Sequence, residues 1–311
     1  METIQSKIQS TPVLFVLLAA FWGTSFVAID VGLERVPPLL FAALRYDLAG
    51  VVVLAYAAVT HDRWLPRTRR DWLSALVGGV FLVGAFHALL YLGQGAVSGA
   101  VAAIVVSLVP LLTAVFDHTL LGERRLEPVG GAGFVFGVVG VVVVANPTPG
   151  ALDSTAALGI GLVFLSAVAF ALGSVATRSV SADFPVVSQQ AWTMLVGAAV
   201  LHLGSVVRGE SFVASAWTPS VLLSFGYLAV VSGVVGFLIY FELLERVGPS
   251  ELNLVNYLNP IVAALVSWAV LGEVLGTTAV AGFVVIFAGF GLLKRDAVRC
   301  LVRSRWTVAD C

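Results

Sequence analysis

The sequence predicts an all-α polytopic membrane protein of ten transmembrane helices, arranged as two inverted five-helix repeats. Three observations predict this. First, 59% of the 311 residues are hydrophobic and only 11% are charged, too little charge to cover a soluble surface of that size. Second, the apolar residues gather into long continuous runs, and about 20 such residues make a helix that crosses the hydrocarbon core. Third, one segment occurs twice, 150 residues apart: Ser107-Leu-Val-Pro110, an apolar stretch and Leu121-Gly-Glu123 return as Tyr257-Leu-Asn-Pro260, an apolar stretch and Leu271-Gly-Glu273. Gly23-Thr24 and Gly173-Ser174 keep that offset, and Ala132-Gly-Phe-Val135 returns as Ala281-Gly-Phe-Val284, slipped by one residue.

The elements follow in order. Residues 1–11 are a sparse N-terminus carrying Lys7, and 12–30 form the first run. Leu18-Ala-Ala20 loosely resembles a signal-peptide cleavage region, but the run continues past Ala20 and nine more follow. Pro37-Pro38 opens the second run, 38–59, and an arginine-rich turn precedes the third, 71–93. The fourth, 98–120, holds Pro110, and the fifth, 128–145, holds the GxxxG match Gly133-Phe-Val-Phe-Gly137, suited to dimerisation or to packing within the chain. These five make the first repeat, 12–145. A turn-rich linker, 146–156, begins Asn146-Pro-Thr-Pro-Gly150. The second repeat, 157–294, holds runs 157–178, 186–207, 219–243, 250–271 and 277–294, and a basic tail, 295–311, contains Trp306. The tail suits anionic lipid or serves only to set topology. In lipid every backbone polar group must be paired internally, so spans are helices or closed barrels. Barrel strands alternate over about ten residues, and these runs do not.

Charge placement predicts orientation. With the N-terminus inside, fourteen of the seventeen Lys and Arg fall in inner loops or the tail, Arg35 and Arg208 fall outside, and Arg45 lies within the second span. By the positive-inside rule both termini are cytoplasmic, in a plasma or inner membrane. Five spans per half is an odd number, which inverts the second half relative to the first. Cys300 and Cys311 both sit in the tail, so neither a disulfide framework nor a metal site is expected.

Trp22-Gly-Thr-Ser-Phe-Val-Ala28, then Pro37-Pro38, then Ala43-Leu-Arg45-Tyr, together with the Pro110 and Pro260 segments, resemble the EamA-type branch of the drug/metabolite transporter (DMT) superfamily. The resemblance covers about 12–294. It implies a secondary transporter with a central cavity between two halves. Many members resembling this pattern export small metabolites, including amino acids, and some move drug-like cations or nucleosides.

The polar residues inside the spans are the candidate site. A charged residue at mid-membrane costs roughly 2.5–3.5 kcal/mol and usually faces the bundle interior. His87, Tyr91 and Gln94 share one helix face, spaced i, i+4, i+7. The residues 150 further on are Phe237, Phe241 and Leu244, with Tyr240 beside them. Facing each other, the two stripes would line a cavity for an amphipathic or aromatic solute; alternatively the aromatics pack helices. Asn253, Asn256, Tyr257 and Pro260 form a third stripe, with Asn259 to one side. Pro260 leaves the Asn256 carbonyl without its helical donor, and Pro110 does the same for Val106, beside Ser107. Trp22 and Ser25 lie on one face of the first span. Arg45 sits about two turns, roughly 10 Å, below the outer surface, with Asp30 and Asp47 as candidate partners for an ion pair; a substrate carboxylate is the alternative. Glu123 and Glu273 read as caps of the helices that follow them.

There is no Walker A motif and no nucleotide-binding domain, so gradients would drive transport. The expectation is alternating access of two inverted halves around a midplane cavity, carrying a small-molecule substrate, with export of amino acids or related amphipathic solutes first. Drug-like cations, nucleosides or lipids are the alternative, then a channel. His87 is the histidine placed deep in a span, and histidine titrates near neutral pH, which makes it the candidate for proton coupling. No paired carboxylates, metal cluster or nucleophile elbow suggests an enzyme. No cofactor and no nucleic acid is expected, and nothing specifies an oligomer.

Overall fold

The structure, a computed structural model, describes residues 2–122, 128–145, 155–180, 183–252 and 255–293. Among them the chain is all helical. Seven helices are long and apolar enough to cross a membrane: α1 (Thr11–Leu33 of a helix starting at Glu2), α2 (Pro38–Thr60), α3 (Arg69–Gln94), α4 (Gly99–Leu121), α6 (Thr155–Val180), α7 (Val186–Val207) and α8 (Pro219–Leu244, continuing to Leu252). Three shorter apolar helices complete the order: α5 (Pro128–Ala145), α9 (Val255–Leu271) and α10 (Thr277–Leu293). Outward-facing side chains are strongly apolar; Val59 is 81% and Leu223 76% exposed. Water does not tolerate so much contiguous apolar surface, and lipid does.

Local chemistry sets the ends. Pro37 and Pro185 precede α2 and α7, where a missing N–H costs nothing. Thr68 and Thr218 cap α3 and α8, their hydroxyls accepting from the amides of Asp71 and Val221. Both capped helices then widen into π-helical turns, Gly79–Ala85 in α3 and Tyr227–Val235 in α8. Gly122 and Gly272, the glycines of the two Leu-Gly-Glu turns, both adopt left-handed backbone, φ 66° and 71°. The sequence repeat is therefore also a repeat of backbone detail.

Packing follows the same pattern. α1 packs on α9 as α6 packs on α4; α3 packs on α6 as α8 packs on α1; α3 meets α7 as α8 meets α2. The pairs α2–α7 and α5–α10 each join equivalent helices of the two halves. Small residues allow the closest approaches. A Cβ on Gly140 would lie 2.8 Å from the Gly282 carbonyl oxygen, and one on Gly282 would lie 2.6 Å from that of Gly140. A Cβ on Gly289 would meet the Gly133 carbonyl oxygen at 2.5 Å, so the GxxxG face of α5 is spent within the chain.

One difference breaks the pattern. At the end of the bundle holding Asp30, α1, α2 and α4 all pack against the final turns of α3. Among the described residues no comparable packing joins α6, α7 and α9 to the final turns of α8.

Candidate functional site

The most polar buried cluster lies where α2 meets α3. Arg45 is 5% exposed, Tyr46 2%, His87 8% and Tyr91 0%. Arg45 donates through Nη1 to the Tyr91 hydroxyl at 2.7 Å and through Nη2 to the Tyr46 hydroxyl at 2.8 Å. Its guanidinium carbon sits 4.4 Å from the centre of the Tyr46 ring, a cation–π contact. The Tyr46 oxygen lies 2.6 Å from His87 Nε2, and His87 Nδ1 lies 3.0 Å from the Val83 carbonyl oxygen. Val83 belongs to the π-helical turn, and its carbonyl also accepts the Phe86 amide.

These contacts fix the hydrogens. The Val83 oxygen only accepts, so Nδ1 carries the proton and Nε2 accepts from Tyr46. The chain of donation runs Arg45 to Tyr46 to His87 to Val83. A doubly protonated His87 would also donate to the Tyr46 oxygen and leave the tyrosine hydroxyl hydrogen without its acceptor. Packed this way, His87 is neutral.

The expected partners of Arg45 lie elsewhere. Asp30 accepts from Gln94 Nε2 at 2.7 Å and from the Gly99 amide at 2.7 Å, capping the start of α4 alongside Ser98. Asp47 pairs with His202 Nε2 at 2.6 Å on the α2–α7 seam. The reason is helical geometry: Asp47 is two residues from Arg45 and points to another face. Among the described residues no carboxylate lies within ion-pair distance of Arg45.

The α3 stripe divides. His87 and Tyr91 join Arg45, whereas Gln94 turns to α1, donating to Asp30 and to the Phe26 carbonyl. Around Tyr91 stands an aromatic wall: Phe41 at 6.3 Å between ring centres, then Trp217 and Phe225 against Phe41. Phe86 beside His87 touches Phe170 of α6 at 5.1 Å. The α8 residues form a separate cluster with Trp22, which lies 5.5 Å from both Phe237 and Tyr240; Phe241 packs on both of those rings. Among the described residues no ring contact joins the two stripes. Trp22, Phe237 and Tyr240 are half-buried, whereas His87, Tyr91, Gln94 and Ser107 are closed off from any opening.

The prolines act differently. Around Pro110 the α4 helix breaks at Ser107-Leu108, and the buried Ser107 hydroxyl donates to the Ile104 carbonyl at 2.6 Å. α9 runs unbroken through Pro260. Asn256 is half-buried; Asn259 Oδ1 and the Tyr257 hydroxyl are buried without a hydrogen-bond partner among the described residues, and the Tyr257 ring rests on Phe290 at 4.1 Å. Asn253, Glu123, Cys300 and Cys311 lie outside the described residues. Glu273 accepts from the Ser267 hydroxyl of α9 at 2.8 Å, so its side chain turns back from the helix it was expected to cap.

Tyr46, Phe86 and Phe170 were not singled out from the sequence. Tyr46 follows Arg45 directly, and neighbours i, i+1 do not ordinarily face each other on a helix. Only the fold-back of the long arginine side chain joins them.

Seven membrane-length helices, an apolar exterior and a buried polar cluster between helices define a multi-pass α-helical membrane protein. The chain belongs to the EamA-like transporter family: the family model matches residues 10–146 and, a second time, 157–294. It is 29% identical over 273 residues to the uncharacterized inner membrane transporter YedA of Escherichia coli (strain K12), covering 86% of this chain and 85% of that protein. It is 27% identical over 284 residues to the uncharacterized transporter YvbV of Bacillus subtilis, covering 91% of each. The WAT1-related protein At3g02690, chloroplastic, of Arabidopsis thaliana is 25% identical over 280 residues, 88% of this chain and 67% of that one. A solved crystal structure superposes with a TM-score of 0.65 at 23% identity, over 94% of this chain and 99% of that one; this likeness speaks to fold.

Proposed function

We propose that the protein is a secondary carrier of small amphipathic metabolites, amino acids or related solutes first, working as an exporter by alternating access. In this reading all ten helices cross the membrane. The 17 residues of α9 and of α10 lie at the short end of the spanning range. The halves 12–145 and 157–294 are inverted repeats and both termini face the cytoplasm.

The observation that carries the reading is the broken symmetry. The two halves share caps, π turns, left-handed glycines and principal packing, yet among the described residues one end of the bundle is drawn together and its equivalent is not. Inverted repeats that exchange these two conformations would close one end and open the other around a fixed centre, which is alternating access. With the N-terminus inside, the closed end is the outer one. Trp22, Phe237 and Tyr240, half-buried, are the cavity wall we assign to an amphipathic solute, with Asn256 nearby on α9's side.

Proton coupling through His87 fits the same cycle. Its neutral form is held by Tyr46 while α2 and α3 are packed; once they separate, Nε2 is free to take a proton. The test is uptake and counterflow in proteoliposomes with labelled amino acids, purines and organic cations, with and without a pH gradient. Saturable, trans-stimulated movement establishes a carrier and its substrate class; ohmic single-channel steps would replace it with a pore.

A further inference from the structure

We infer that Arg45, with Tyr91, is the binding site for a substrate carboxylate. The inference rests on the carrier reading and adds the chemical group that is recognised.

A guanidinium carries five N–H groups and cannot be deprotonated in a protein. Two are used, on the Tyr46 and Tyr91 oxygens. The Tyr46 hydroxyl hydrogen is used on His87 Nε2, and the His87 hydrogen on Val83. The Tyr91 hydroxyl accepts from Arg45, and its own hydrogen has no acceptor among the described residues. A fixed positive charge and an unused O–H thus lie side by side, 95% or more removed from the surface, with no anion facing them. Charges buried in protein are ordinarily paired. A planar carboxylate accepts from both a guanidinium fork and a neighbouring hydroxyl.

The repeat supplies the comparison that separates fold from function. α2 and α7 start directly after Pro37 and Pro185, which sets Thr193 and Met194 opposite Arg45 and Tyr46. α3 and α8 start after Thr68 and Thr218, which sets Phe237 and Phe241 opposite His87 and Tyr91. α7 and α8 form from equivalent starts without a charge at these positions, so the helices themselves do not need Arg45 to form. The cluster is also placed to change: it bridges α2 and the final turns of α3, a contact with no comparable counterpart between α7 and α8 among the described residues. When α2 withdraws, Tyr91 leaves Arg45 and the guanidinium needs a new acceptor. Phe41, Phe86 and Phe170 pack beside the cluster, so separation of α2 and α3 would put their rings alongside the guanidinium, as an extension of the Trp22 wall for the apolar part of an amphipathic acid.

The experiment uses the full chain in lipid nanodiscs. Thermal unfolding is followed with L-phenylalanine and L-leucine, with their decarboxylated counterparts phenethylamine and isopentylamine, and with adenosine. The expected result is stabilisation by at least one amino acid and by neither amine. Arg45→Gln should weaken that binding at least tenfold, Arg45→Lys less, and Tyr91→Phe several-fold. Tyr91→Phe removes the unused O–H together with one acceptor of Arg45 but leaves the charge in place, so it reports even where an Arg45 variant folds poorly. Equal stabilisation by acids and amines, no stabilisation by either acid, or full binding in Arg45→Gln would overturn the inference. Counterflow of the same probes separates the two readings: transported amines or adenosine with inert acids would sink the carboxylate site and leave the carrier standing.

Discussion

At the Asp30 end α3 and α6 meet at two glycines, which gives a perturbation of known size. A Cβ on Gly93 would lie 2.6 Å from the Gly159 carbonyl oxygen, 2.7 Å from Val163 Cγ2 and 3.0 Å from the Val163 amide nitrogen. Such atoms rest at roughly 3.5 Å or beyond, so the helices must separate by about 1 Å. Overpacking of this kind costs about 1–3 kcal/mol. If that cost falls only on the closed arrangement, Gly93→Ala shifts the conformational equilibrium by about 5–150-fold toward opening at the Asp30 end. Spin labels at Gly95 and Ala156, both exposed near that contact, would report the distance between α3 and α6. Labels at Arg70 and Ser179, exposed near the opposite ends of the same helices, serve as the reference pair. The expected outcome is a second, longer population at the first pair, with thermal stability nearly kept. A lowered melting temperature with an unchanged distance would refute the reasoning, because the contact would then be static packing rather than a gate.

Three further outcomes follow from named contacts. Gly282→Ala, which meets Gly140 and Val144 across the α5–α10 seam, should destabilise by about 1–3 kcal/mol in denaturant titrations; an unchanged midpoint would mean the seam is loose. Asp71, 1% exposed, caps α3 by accepting from the Thr68 and Arg67 amides at 3.0 Å and from Arg63 at 2.8 Å; Asp71→Ala should cost about 1–3 kcal/mol, more than Thr218→Ala at the equivalent cap, and the reverse order would contradict the geometry. His87→Gln should keep counterflow while transport loses its dependence on a pH gradient; an unaltered dependence assigns the proton to another group.

Much of the architecture was legible because it rests on local signals. Helix positions follow from apolar runs and from Pro37, Pro185, Thr68 and Thr218, which act within one turn of where they stand. The duplication was legible because Gly122 and Gly272 are demanded by left-handed backbone and so persist at a fixed offset. Side-chain partnerships were less legible, because they depend on which helices meet. The i, i+4, i+7 rule placed His87, Tyr91 and Gln94 on one face, but one face of α3 spans two neighbours, and Gln94 answers to α1 while Tyr91 answers to α2. Arg45 was recognised as costly, yet its acceptors are neutral hydroxyls, one of them on another helix. The π turns left no composition signal at all.

The two halves reveal function by where they disagree. What they share, the caps, glycines and crossing pairs, is what any inverted bundle needs in order to exist in either orientation. What they do not share falls into two kinds. One is conformational: among the described residues the Asp30 end is packed and its equivalent is not, a difference that the proposed cycle would reverse. The other is chemical: Arg45, Tyr46, His87 and Tyr91 stand against Thr193, Met194, Phe237 and Phe241, a difference that cannot reverse. A carrier needs both, since motion requires two nearly equivalent arrangements, whereas recognition requires one fixed set of groups. In the proposed reading the two coincide at the α2–α3 contact, so separating those helices would both open a path and expose the charge assigned to the substrate carboxylate.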